Sequence, residues 1–259
     1  MLFPSLKDPY SKKGYEHFYD AASSTGYISW RLKTLDGDAC QEAMSLLNHT
    51  TDNSLVFQKM RETFQHRQKL VNDPGRSVDI LSSFPRFLDT QGLVDQDFTL
   101  LFDDETSSRL LQKWDLFFKP KVMKEAKRLT STPELRRLVQ SAESPPGSDL
   151  DDATKHLRNQ PGQQPYLLAV GRQKSKIDRF YITMDKRLIP CKANRSLGAF
   201  DELFKAHFVF NLSYDVALVN FYTFLQTTVY NIDVGKMKES PRVKDLRARL
   251  LNQPVALSP

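Results

Sequence analysis

The stretch AHFVFNLSYDVALVNFYTFLQTTVYNID, residues 206–233, is the most apolar and aromatic-rich part of the chain. Three readings compete for it: a membrane span, a recognition surface lined with rings, or the inside of a folded domain. From Val216 to Ile232 there are 17 residues without charge, short of the roughly 20 that a spanning helix needs. The same run holds Asn220, Gln226, Asn231 and three threonines, whose amides and hydroxyls suit lipid poorly. Helical spacing accounts for it better. Leu218, Phe221, Leu225, Val229 and Ile232 recur at three- and four-residue steps and predict one apolar stripe, widened by Val219, Tyr222 and Tyr230. Ser213 is the expected N-cap, with Asp215 in the first turn, where the helix dipole favours an acid. Upstream, Leu197, Phe200, Leu203, Phe204 and Phe208 form a second stripe. Together they predict a helical hairpin at the centre of a C-terminal core; an aromatic ligand cleft built from the same rings is the alternative.

The residues before this hairpin read differently. PYLLAVG, DRFYITM and KRLIPC are short runs containing β-branched or aromatic residues, separated by RQKSKI and by Asp185-Lys186. They predict a small antiparallel β meander over about 166–192, packed with the C-terminal helices. After the hairpin, Ser240-Pro241 opens a last helix, because serine caps and proline fits the first turn.

Farther upstream, Ser141 to Pro165 holds four prolines, two glycines and an acidic cluster. Its core, 143–165, reads as a linker or loop. It separates a mostly helical region, 1–142, from a region of meander plus helices, 166–259. In the first of these, Val56, Met60, Phe64 and Arg67 follow one helical face, and Asp73-Pro74-Gly75 ends it. Leu93, Val94, Phe98, Leu101 and Phe102 fall at helical steps. Pro120 kinks or restarts the next helix, and Thr132-Pro133 opens another. The expected class is α+β, predominantly helical.

The composition, 40% hydrophobic and 26% charged, is that of a foldable chain, and the mean hydropathy of −0.49 argues against a membrane protein. Two cysteines, Cys40 and Cys191, lie far apart without a CxxC pair, so no zinc ribbon, zinc finger or thioredoxin-like motif is expected. Two free thiols in a reducing compartment are the expectation, with one long-range disulfide the alternative. The N-terminus has no apolar run of signal-peptide type, so the expected location is intracellular, cytoplasmic or nuclear.

The net charge is +6, and its distribution is uneven. Asp89 to Glu105 contains six acids and no base, whereas Lys113 to Arg137 has eight bases against three acids. Arg172 to Arg195 has eight bases against two acids, and Lys236 to Arg249 six against two. Solvated faces are the ordinary explanation, and the segments could also pair with one another. The functional alternative is contact with nucleic acid or an acidic partner through 113–137 and 172–195. The candidate residues are Lys119, Lys121, Lys124, Lys127, Arg128, Arg136 and Arg137, together with Lys174, Lys176 and Arg179. No RNA-recognition, GxxG or helix-turn-helix pattern accompanies them.

Signals for chemistry are few. The five histidines follow no metal spacing, and His207, on the apolar stretch, reads as a packed core residue. No GxSxG elbow, P-loop or GxGxxG occurs. Asp103-Asp104-Glu105 offers clustered carboxylates, but neighbours along a helix do not converge on one site, and a helix first turn suits them better. No catalytic residue, metal site or cofactor is expected.

Three stretches carry a resemblance: DPYSKKGYEHFYDAASSTGYISWRLKTL, FPRFLDTQGLVDQDFTLLF, and the run from Asp201 to Leu251. They are similar to a large family of vertebrate proteins of unknown function named as like sterile alpha motif domain-containing protein 3. The resemblance covers nearly the whole chain. It implies no activity and no site residue, and the sterile alpha motif itself is not evident here. The functional expectation is a non-enzymatic protein-interaction module with an unknown protein partner, the nucleic-acid reading being the alternative, and no membrane association.

Overall fold

The computed structural model describes residues 35, 37–73, 79–129, 132, 133, 136, 164–173 and 176–252, excepting the side chains of 172, 173 and 176. Among the described residues the fold is predominantly helical with one three-stranded sheet, an α+β fold. Apart from residues 164 and 165, the expected divider 143–165 lies outside the described residues. The chain forms two compact units, each drawn from both sides of that divider. The first comprises the described residues within Met1–Ser107, Gly162–Ala169 and Arg179–Tyr214; the second those within Ser108–Pro161, Val170–Asp178 and Asp215–Pro259.

The first unit begins with α1 (Asp38–His49), α2 (Asn53–Glu62) and α3 (Phe64–Val71). Asp52 caps α2 by accepting the Ser54 amide at 2.8 Å. The expected face runs through α2 and α3 despite a break at Thr63, with Val56, Met60, Phe64 and Arg67 all buried. A short α4 (Ile80–Ser83), capped by Asp79, leads into a 3-10 turn, Pro85–Leu88. Gly92, at φ 86°, opens α5 (Leu93–Leu101) in a left-handed conformation that glycine adopts without strain. The helix α6 (Asp104–Lys113) has Asp104 and Glu105 in its first turn, and Asp103 accepts the Thr106 amide at 2.5 Å. The acidic triplet is therefore a helix start.

The sheet has order β1-β2-β3, from Tyr166–Gln173, Lys176–Met184 and Arg187–Pro190. Strands β2 and β3 are antiparallel, with Ile182 opposite Ile189 and Met184 opposite Arg187. Asp185 and Lys186 form the two-residue turn at φ 50° and 62°, the pair of positive values that matches hairpin twist. Phe180, Ile182 and Met184 alternate inward. β3 packs on the Pro85–Leu88 turn.

Next comes α8, Ser196–Val209, with α7 (Lys119–Ala126) earlier in the chain. α8 lies along α5, where Phe208 meets Phe98, Phe102 and Phe204 at centroid distances of 5.6, 5.5 and 5.1 Å. Asn211 ends α8 at φ 51°, with the Leu212 amide donating to the His207 carbonyl at 2.7 Å and the Asn211 amide to Phe208 at 3.3 Å. This pair of bonds closes a helix through one left-handed residue, a conformation asparagine tolerates.

The second unit contains α7, the π-helical turn Trp114–Phe118 before it, α9 (Val219–Phe224), a second π turn (Leu225–Val229) and α10 (Pro241–Asn252). Pro120 sits in the first turn of α7, where it needs no amide partner. The wider π turn upstream keeps its ring clear of the preceding carbonyls. Ser240 lies at the start of α10 as expected, its Oγ accepting the Val243 amide at 3.4 Å.

The opening stretch needs correction. Its two helices do not form a hairpin in one core: α8 belongs to the first unit, and α9 to the second. Ser213 caps nothing, since α9 starts at Val219. Asp215 instead closes a tight turn, its side chain accepting the Ala217 amide at 2.7 Å and its carbonyl the Leu218 amide at 2.9 Å. The stripe also fails at its beginning, because Leu218 and Phe221 are exposed. Leu218 lies in the turn before α9, and the break falls between exposed Phe221 and buried Leu225. Farther on, the Tyr230 amide bonds the Leu225 carbonyl at 3.0 Å in a π turn, which shifts the register of Tyr230 and Ile232 relative to a 3.6-residue helix.

Candidate interaction surface

Charges buried in the first unit are held by one another. Arg67 donates from Nη2 to Asp97 Oδ1 at 2.7 Å and from Nε to Oδ2 at 3.0 Å. Its Nη1 reaches Thr63 Oγ1 at 2.7 Å, and its guanidinium faces the Phe84 ring at 5.2 Å. Burial pushes the Asp97 carboxyl up, and Arg67 pulls against it. Lys205 bonds both Asp95 and Asp201, the latter at 2.7 Å. Glu202 accepts the Lys192 and Ala193 amides at 3.0 and 2.8 Å, fastening α8 to the end of β3. Its carboxyl is raised by burial, which those two bonds oppose. His207 is a core residue: burial drives its pKa down to about 4, and Nδ1 donates to the Leu203 carbonyl at 3.0 Å. Cys40 and Cys191 are buried and not joined in a disulfide, and burial pushes the Cys191 thiol up to about 12. These groups are occupied in holding the fold together. Among the described residues no cluster of three or more His, Cys, Asp or Glu could hold a metal ion, and no helix is long and apolar enough to cross a membrane.

The second unit reverses this pattern at its start. Residues 216–221, Val-Ala-Leu-Val-Asn-Phe, are all exposed, and residues 222–230 are all buried. Val216, Leu218, Val219 and Phe221 are 83, 45, 39 and 47% exposed. What fixes the turn is polar. Asp215 accepts the Ala217 amide there, while beyond it the Gln226 amide donates to Asp233 at 3.0 Å and the Thr227 hydroxyl to the Thr223 carbonyl at 2.9 Å. The buried side of α9 packs on α10. Arg242 and Lys244 are exposed on α10, and Glu239, buried just before that helix, pairs with Arg247 at 2.8 Å.

The predicted bases fare unequally. Lys121 is buried, donating to the Leu250 carbonyl at 2.8 Å with its Nζ 3.7 Å from the Phe117 ring centroid, so it is a tie between α7 and α10 and does not face solvent. Burial lowers its pKa. Lys119 is half-buried, while Lys124, Lys127, Arg128 and Arg136 are exposed. Arg128 is held by Glu125 at 2.9 Å, and Glu125 also takes Arg249 at 2.7 Å. Arg179 is exposed and belongs to the first unit. Arg137 and Lys174 lie outside the described residues, and so does the side chain of Lys176. Charge follows the units more closely than it follows the segments. Among the described residues the second unit carries 16 Lys and Arg against 7 Asp and Glu, whereas the first carries 11 against 15.

In the sequence, residues 216–221 read as core because apolar residues at helical steps usually are. The signals that argue otherwise are Asn211, which can end a helix, and the Asp215 turn.

Residues 34–90 fit the family model described as Sterile alpha motif domain-containing protein 3, helical domain. No curated protein and no solved structure matches the chain. The matched residues include α1 to α4 and the Pro85–Leu88 turn, all in the first unit. This region is similar to the helical domain of sterile alpha motif domain-containing protein 3, and the likeness read from the sequence stands there.

Proposed function

We propose that this chain is a non-enzymatic protein-interaction module, working in the cytoplasm or nucleus. The observation that carries the reading is the exposed apolar run Val216–Phe221, held in a fixed turn on the more basic of the two units. Four large apolar side chains exposed within six residues favour a surface that a partner covers. The buried charges of the first unit are consumed by structural pairs, which favours a binding role over chemistry. A photo-crosslinking amino acid at position 218, in the full chain in cells, tests this. Discrete protein adducts that disappear when Phe221→Glu is added support the module. Adducts no more abundant than from the same probe at exposed Glu42 sink it.

A second reading, nucleic-acid association through the phosphate backbone, is favoured by exposed Lys124, Lys127, Arg128 and Arg136. Fluorescence anisotropy against duplex DNA, single-stranded DNA and RNA at low and physiological salt tests it. Binding that falls steeply with salt and weakens in Lys124→Glu/Lys127→Glu supports backbone contacts. No binding at low salt removes it.

A further inference from the structure

We draw no further inference here: the strongest candidate, the exposed apolar patch of residues 216–221 leading into α9, belongs to the surface already described, and nothing in the structure shows what covers it.

Discussion

Two neighbouring stretches invert the usual rule. Asp201–Phe210, most of it in α8, is buried at every position although it contains an aspartate, a glutamate, a lysine and a histidine. Residues 216–221, with five apolar side chains in six, are exposed throughout. Hydropathy alone would order these two the other way. What separates them is whether each group finds a partner. Lys205 has two carboxylates, Glu202 two amides and His207 a carbonyl, so their burial leaves little unsatisfied. The apolar turn has its backbone fixed by Asp215, and nothing in the fold obliges its side chains to turn inward.

The most damaging way to break this comparison is to remove a partner on the buried side. Lys205→Met leaves Asp201 and Asp95 facing each other without their cation, and should cost about 3–5 kcal/mol, read from urea unfolding. A loss under about 1 kcal/mol would mean the carboxylates neutralise cheaply by taking up protons.

His207 gives a pH signature of intermediate size. Its folded pKa, about 4, lies below its ordinary value of 6.5. Above pH 6.5 neither state holds the extra proton, and burial of the ring carries no pH-dependent penalty. As pH falls from there toward about 4, the unfolded chain binds a proton that the folded chain refuses, so stability drops. The steepest contribution is about 1.4 kcal/mol per pH unit. His207→Gln should flatten the stability profile between pH 6.5 and about 5, and an unaltered slope would assign the acid sensitivity to other groups.

A smaller effect is expected at Gly198 in α8. An added Cβ would lie 2.7 Å from the Ala193 Cβ, a contact that cannot relax by swinging a long side chain. Gly198→Ala gains up to about 1 kcal/mol of helix propensity and loses about 1–3 kcal/mol to crowding. Net destabilisation is the expected outcome, and a raised thermal midpoint would show that the 191–195 loop yields easily. The smallest change belongs to the exposed side: Phe221→Ser should alter folding stability by no more than about 0.5 kcal/mol. A large loss there would reveal the turn as part of the core after all.

Much of the architecture is legible in the residues. The meander is visible because its strands are short, apolar and broken by turn residues, and Asp185-Lys186 takes the turn the spacing asks for. Ser240-Pro241, Asp103–Glu105 and the face through Val56, Met60, Phe64 and Arg67 are readable from capping and periodicity. Three things are not legible. Periodicity assumes 3.6 residues per turn, and the π turns at Trp114–Phe118 and Leu225–Val229 break that assumption without any marker in composition. Lys121 looks like its basic neighbours, because only its contact with Phe117 and the Leu250 carbonyl distinguishes it. Nor does a linear reading reveal that α8 and α9, separated by a few residues, fold into different units. That division depends on long-range partners: α5 for one, α10 for the other.

The interleaving of segments has a consequence during synthesis. α5 emerges early, with Phe98 awaiting Phe208 on α8. At about 5–20 residues per second, the chain between Leu101 and Ser196 takes roughly 5–20 s to make. For that interval the apolar face of the first unit has no native lid, and the nascent chain presents a surface on which chaperones, or neighbouring copies on the same message, compete with a helix that does not yet exist.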